Sequence, residues 1–214
     1  MLQQTGERQV AEVIEGIKPN HRNRYQFACN KIAEKFAGKD DISVIDCACG
    51  VGYGSMMLTS IATNVLGLDI HPEAIEAANR AYKKEHNTFG VCDLGDQASW
   101  DKALAENLLP LSDAIVSIET IEHVIDAHAL IERYAQTADF LVASVPNEDV
   151  VPFQKDRHPF HFRHYTRGQF SELLIDQGYI IESWATQYDK IPGIVYEDAD
   201  DGMGFIVTAS KKPV

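Results

Sequence analysis

The chain has 214 residues, 45% of them hydrophobic and 24% charged, and carries a formal net charge of −13. That length suits one α/β domain rather than two, and that charge repels a phosphate backbone unless a local basic patch overrides it. The lysines and arginines are scattered, so nucleic acid is not the default partner. No window approaches the roughly 20 apolar residues needed to span a bilayer, and no basic leader precedes an apolar run near residue 1. These features suggest a cytoplasmic protein without membrane insertion, either monomer or homodimer.

In chain order, Tyr25, Ala28, Ile32 and Phe36 fall at helical intervals with Gly38 closing the pattern, which predicts an amphipathic helix over 24–37. Ile42–Cys47 is a short β-branched run that stops at a glycine-rich turn, and Ser55–Ala62 resumes a helical pattern. Asn64–Asp69 is a second strand. Pro72 then stands where a first-turn helix proline belongs, ahead of Ile75, Ala78 and Tyr82 on one face. Further strands are expected at Thr88–Asp93, Ala114–Ile118, Phe140–Val145, Tyr179–Trp184 and Gly204–Ala209, giving seven. An acidic loop through Glu197, Asp198, Asp200 and Asp201 joins the last two. Strands alternating with helices imply a doubly wound, Rossmann-like α/β fold, mostly parallel with an antiparallel last strand. Cys29, Cys47, Cys49 and Cys92 have neither disulfide nor zinc-ribbon spacing and read as buried reduced thiols.

The segment Asp46-Cys47-Ala48-Cys49-Gly50-Val51-Gly52-Tyr53-Gly54 sits where a strand hands over to a helix, and its small residues let the backbone approach a ligand. A side chain at Gly50 or Gly52 is expected to obstruct that approach. The third glycine comes one residue too early for the dinucleotide-binding turn, and there is no P-loop lysine. In open parallel sheets the binding crevice lies beyond the carboxyl ends of the strands. Asp46, Asp69, Asp93 and Glu119, each at or just past such an end, are therefore expected to converge there. Asp69 is placed to accept hydrogen bonds from both hydroxyls of a ribose.

Val44–Gly54, Val65–Ile70, Cys92–Leu94 and Asp113–Val124 resemble, in order, successive motifs of class I S-adenosylmethionine-dependent methyltransferases, over roughly residues 21–210. The resemblance implies S-adenosyl-L-methionine as cofactor and S-adenosyl-L-homocysteine as product. Gly50 and Gly52 would line the methionine end, Asp69 would hold the ribose, Asp93 with Leu94 would border the adenine, and Ile70 would belong to the same cofactor site. Asp46, Ala48 and Tyr53 complete the loop, Ala48 standing where the family usually has its first glycine. Arg24 and Tyr25 look like the N-terminal arginine-tyrosine that many members bring over the cofactor. One methyltransferase domain is expected over 1–214, with an N-terminal helical cap (1–41), a cofactor-binding core (42–145) and a substrate-side half (146–214).

Past the fourth strand, Glu119, Glu122 and His123 would share one face if the segment were helical. Downstream, His158-Pro159-Phe160-His161-Phe162-Arg163-His164-Tyr165 precedes a helix marked by Thr166 and Gln169 at capping-box spacing. Glu119, Glu122, His123 and His161 together resemble the metal-binding set of small-RNA 2′-O-methyltransferases and, in part, ubiquinone-pathway O-methyltransferases. The flanking Ser144–Asn147 and His161–Arg167 segments resemble methyltransferases of sugar and glycan pathways, His164 standing where those commonly carry glutamate. A mixed carboxylate and imidazole shell suits Mn2+ or a similar transition metal better than Mg2+. Without a metal, His123 or His161 could act as general base, and Glu119 and Glu122 could simply be helix N-terminal carboxylates favoured by the macrodipole. The expected function is O-methylation of a small-molecule methyl acceptor, a sugar, glycan or lipid precursor. The alternatives are RNA or DNA methylation and a non-catalytic binding subunit on the same fold.

Overall fold

The computed structural model describes residues 9–109, 111–188, 193–196 and 199–212. Eight strands form one sheet: β1 (Ser43–Cys47), β2 (Asn64–Asp69), β3 (Asn87–Val91), β4 (Ser112–Ile118), β5 (Ala138–Pro146), β6 (Tyr179–Gln187), β7 (Ile194–Tyr196) and β8 (Gly204–Lys211). Their order is β3-β2-β1-β4-β5-β8-β6-β7. The pairs among β1 to β5 are parallel, whereas β8 runs antiparallel to both β5 and β6. The seven expected strands and the reversed last strand are present. The eighth, β7, pairs antiparallel with the end of β6; at three residues it is too short for alternation to reveal it.

Parity along the strands builds both halves of the core. Val44, Val65, Ala114, Val116 and Val142 face one side, against α1 (Pro19–Lys35), α2 (Tyr53–Leu58) and α3 (Pro72–Ala81). Ile45, Cys47, Leu66, Leu68, Ile115 and Leu141 face the other, against α4 (Gln97–Glu106), α5 (Ala127–Thr137) and α6 (Arg167–Asp176). A strand buried on both faces must be apolar at nearly every position, and the buried exception in β1 is Asp46. All four cysteines are buried and free, as expected.

The helix ends follow local chemistry. Asp96 and Asp126 cap α4 and α5 by accepting hydrogen bonds from Ser99 N (2.7 Å) and Ala129 N (3.0 Å). The Thr166/Gln169 capping box opens α6 as expected. Helix α1 starts at Pro19, five residues before the apolar periodicity becomes visible, because its first turn is polar and a proline is well suited to the first helical position. Gly38 ends the segment with φ +87°. In the acidic loop, Glu197 and Asp198 lie outside the described residues. Asp200 pairs with Arg167 at 2.8 Å, and Asn147 Nδ2 donates to the Asp200 and Gly202 carbonyls at 2.9 and 2.8 Å. Among the described residues no helix is long and apolar enough to cross a membrane.

The strand order reverses between β1 and β4, because β2 and β3 lie on one side of β1 while β4 and β5 continue on the other. Ligands of doubly wound sheets bind outside the carboxyl ends of the strands at such a switch point. The loops after β1, β2, β3 and β4 meet there.

Candidate functional site

The loop after β1 is held in a left-handed path. Ala48, Gly50 and Gly52 have φ of +57°, +56° and +89°. Cys49 N donates to the Leu68 carbonyl (2.8 Å) and Gly52 N to the Cys49 carbonyl (3.0 Å). Asp69, at the end of β2, accepts Gly50 N on Oδ2 and His71 N on Oδ1, each at 2.9 Å. One carboxylate thus ties the loop after β1 to the turn after β2, and each oxygen keeps a further lone pair for a ligand hydroxyl.

Above these residues lies a cavity of about 300 Å³, lined by Ala48, Gly50, Asp69, Ile70, Asp93, Leu94 and Glu119 among the expected positions. His71, Gly95, Thr120, Val124 and Phe160 also line it. Thr120 and Val124 fall inside the Asp113–Val124 motif segment and Phe160 inside the histidine segment, but the sequence singles out none of the five as a site residue. His123 belongs to the same wall. Arg133 fixes the far side by donating to the Leu94 carbonyl at 2.6 Å.

Asp46 is placed differently from expectation. It shares strand parity with Val44, so its side chain enters the α1/α2 layer rather than the cleft. It is fully buried and accepts Tyr25 Oη at 2.9 Å and Ser55 Oγ at 2.6 Å. Burial pushes its carboxyl up to about 7, against the lowering effect of those two hydroxyls. Tyr25, likewise, lies under the loop: a Cβ at Gly54 would sit 2.1 Å from its ring. Tyr53 is buried beside it, with ring centroids 5.4 Å apart. A Cβ on Gly52 would meet Ala78 Cβ and the Phe89 ring at 2.8 Å, so that glycine permits α3 and β3 to pack against the loop. A Cβ on Gly50 meets nothing within 4 Å and would project into open space. Asp46, Tyr25, Tyr53 and Gly52 therefore shape the site from beneath.

A second, smaller cavity of about 160 Å³ adjoins the first. Arg24, His158, His161, His164, Gln187 and Met203 line it, and Glu119 belongs to both. Glu119 does not sit on a helix with Glu122 and His123, because its φ of +50° turns the chain before a single 3-10 turn over Ile121–His123. Its carboxylate accepts Ser144 Oγ at 2.8 Å and faces the Arg24 guanidinium at 3.7 Å. Burial opposes its ionisation, but Arg24 and the Ser144 hydroxyl outweigh that and hold it below the usual carboxylate range.

Of the four expected ligands, Glu122, His123 and His161 come together, each offering an atom within 4.8 Å of the others; Glu119 is not in that group. Glu122 is fully buried, and neither carboxylate oxygen has a hydrogen-bond partner. Burial, and then the neighbouring Glu119 charge, push its carboxyl well above the usual range. The backbone clamps the group: Phe162 N donates to the Glu122 carbonyl at 2.8 Å, bringing the histidine loop over the 3-10 turn. Burial, with His123 and His164 adding to it, lowers the His161 imidazole to about 4. An orphaned buried carboxylate beside two imidazoles has the donor composition of a transition-metal site.

Residues 45–138 match the family model described as a methyltransferase domain. The chain matches that model over just under half of its length. It is 27% identical over 187 residues to a probable S-adenosylmethionine-dependent methyltransferase of Mycolicibacterium smegmatis, covering 83% of this chain and 65% of that protein. It is 27% identical over 189 residues to one of Mycobacterium tuberculosis, covering 84% of this chain and 62% of that protein. The chain thus spans just under two thirds of the length of these relatives. Among solved structures, magnesium protoporphyrin IX methyltransferase from Synechocystis with bound S-adenosylhomocysteine superposes with a TM-score of 0.66. The two share 18% identity over 96% of this chain and 90% of that one, a likeness of fold. The family match ends at the junction of α5 and β5, and residues 139–214, which supply His158, His161 and His164, lie beyond it.

Proposed function

We propose that this protein transfers the methyl group of S-adenosyl-L-methionine to a hydroxyl oxygen of a small acceptor, a sugar, glycan or lipid precursor, held in the second cavity. The cofactor would occupy the larger cavity, its ribose on Asp69 and its adenine between Ile70 and Leu94, with the sulfonium toward Glu119, which borders both spaces. Transfer forms a carbon–oxygen bond as the carbon–sulfur bond breaks in line and releases S-adenosyl-L-homocysteine, and the acceptor's hydroxyl proton would pass to solvent with a metal bound or, without one, to His123 or His161.

The observation that carries the oxygen-acceptor reading is Glu122: a fully buried carboxylate without a hydrogen-bond donor, beside His123, which lines the larger cavity, and His161, which lines the smaller. These three residues fit a divalent ion such as Mn2+. Bound there, an ion would lower the pKa of a coordinated acceptor hydroxyl. His123 and His161 would present imidazole nitrogens, Glu122 would balance charge, and Arg24 would keep Glu119 ionised near the sulfonium. The negative chain, −13 overall, favours a small acceptor over a nucleic acid.

The test is methyl transfer from labelled cofactor to a panel of hydroxylated small molecules, on metal-stripped protein and with Mn2+ restored. Transfer that depends on Mn2+ and on Glu122 supports the reading. Full activity after metal removal would refute the metal-assisted step, and methylation confined to nitrogen or carbon acceptors would refute the oxygen chemistry.

A further inference from the structure

The histidine loop fixes more than position. His164 is buried, and its Nδ1 lies 2.6 Å from the Val151 carbonyl oxygen. A carbonyl only accepts, so Nδ1 carries the hydrogen, and a neutral imidazole then has its lone pair on Nε2. That Nε2 lies 2.7 Å from His161 Nδ1. His161 Nδ1 must therefore be the donor, and the His161 lone pair is left on Nε2, the ring nitrogen not engaged by His164. His123 reaches the same state by a shorter route, its Nδ1 lying 3.2 Å from the Phe160 carbonyl and its Nε2 4.0 Å from Glu122 Oε1. Two backbone carbonyls, one acting through an intervening imidazole, thus select the Nδ1–H tautomer of both histidines.

We propose that His164 is a positioning residue: it passes the polarity of the Val151 carbonyl to His161 and holds that ring with its Nε2 lone pair presented to the Glu122–His123 group. The inference rests on the metal reading above only for what the lone pair serves; the tautomer itself follows from hydrogen-bond geometry. His164 is distinct from the expected ligands, and a glutamate at the same place would perform the same task by accepting from His161 Nδ1. Outer partners of this kind orient metal-bound histidines and tune their basicity.

The experiment is long-range proton–nitrogen correlation NMR of the imidazoles near pH 8 on metal-stripped protein, for wild type, His164→Gln and His164→Leu, with Mn2+ affinity from calorimetry on the same samples. In wild type, His161 should show a protonated Nδ1 and a bare Nε2. Gln retains an oxygen that can accept from His161 Nδ1, so that variant should keep the pattern and bind Mn2+ within a few-fold of wild type. Leu should release the ring to a tautomer mixture and weaken Mn2+ binding about 10- to 100-fold. A protonated Nε2 on His161 in wild type, as a charged His164 would impose, overturns the proposal, and so does an unchanged tautomer in His164→Leu. Should His164→Leu not fold, the wild-type spectrum alone still decides. If wild type has the stated tautomer but binds no Mn2+, the metal reading fails and the positioning assignment stands.

Discussion

Gly50 and Gly52 are two residues apart in one motif, yet the structure assigns them different duties, and alanine at each separates stability from binding. Both have positive φ, which costs an L-residue about 1–2 kcal/mol. At Gly50 nothing else opposes a methyl group within the protein. Offset by the roughly 0.4–1 kcal/mol that alanine saves in unfolded-chain entropy, Gly50→Ala should lose about 0.5–1 kcal/mol, a Tm decrease of roughly 1–4 °C at about 2–4 °C per kcal/mol for a chain of this size. Its methyl group enters the larger cavity, so, if the cofactor binds there as proposed, affinity for S-adenosyl-L-homocysteine should fall tenfold or more. At Gly52 the added carbon lies 2.8 Å from Ala78 Cβ and Phe89. Overpacking of this kind costs about 1–3 kcal/mol more, so Gly52→Ala should lower Tm by roughly 3–16 °C. Thermal melts and calorimetric titration on both variants check this. A Gly52→Ala protein that melts with wild type, or a Gly50→Ala protein that binds cofactor as tightly as wild type, would refute the division of labour.

Asp69→Asn keeps the shape but removes the charge and one acceptor, stranding either Gly50 N or His71 N. Cofactor affinity should fall about 10- to 150-fold, from the roughly 1.5–3 kcal/mol of a charged hydrogen bond, and unchanged affinity in calorimetry would contradict the ribose role. The Asp46 carboxyl is raised to about 7 in the fold from an unfolded value of about 3.9. Its contribution to stability is complete below about pH 4 and is lost as pH rises through about 7, because the folded state holds the proton longer. Melts of the unliganded protein across that window should show the wild-type advantage over Asp46→Asn shrinking as pH rises; a gap that stays constant or widens would contradict it. Ala48 bears the left-handed cost that glycine avoids, against about 0.4–1 kcal/mol of extra unfolded-state entropy for glycine. Ala48→Gly should therefore raise stability by about 0.5–1 kcal/mol, and a loss in denaturant melts would count against the strained geometry.

The fold was legible because β1, β2, β4 and β5 are short apolar runs ending in acids or turn residues, a pattern that only a buried parallel sheet explains. The wall of the larger cavity was legible for Asp69, Asp93 and Gly50 because strand ends in such a sheet have one place to meet. Asp46 was misplaced because strand-end position was weighed and strand parity was not: pairing it with Val44 sends it into the α1/α2 layer. Glu119 lines the cleft as its strand-end position implies, but it left the expected ligand set because spacing assumes a continuous helix and no local signal announces a positive φ at a glutamate. Arg24, His158, Gln187 and Met203 meet in one cavity through the insertion of β8 between β5 and β6, a long-range arrangement that local pattern does not encode. His164 stood out in the sequence only as a departure from glutamate, and its hydrogen bonds supply the reason that either residue could serve.

The most direct test of the central claim is a calorimetric titration of metal-stripped protein with S-adenosyl-L-methionine and with S-adenosyl-L-homocysteine, repeated in the presence of Mn2+ and with Glu122→Ala. Micromolar cofactor binding in every sample, with a separate Mn2+ heat in wild type that vanishes in Glu122→Ala, is the predicted result. Absence of cofactor binding would contradict the methyltransferase assignment, and a Mn2+ heat that survives in Glu122→Ala would contradict the placement of the metal.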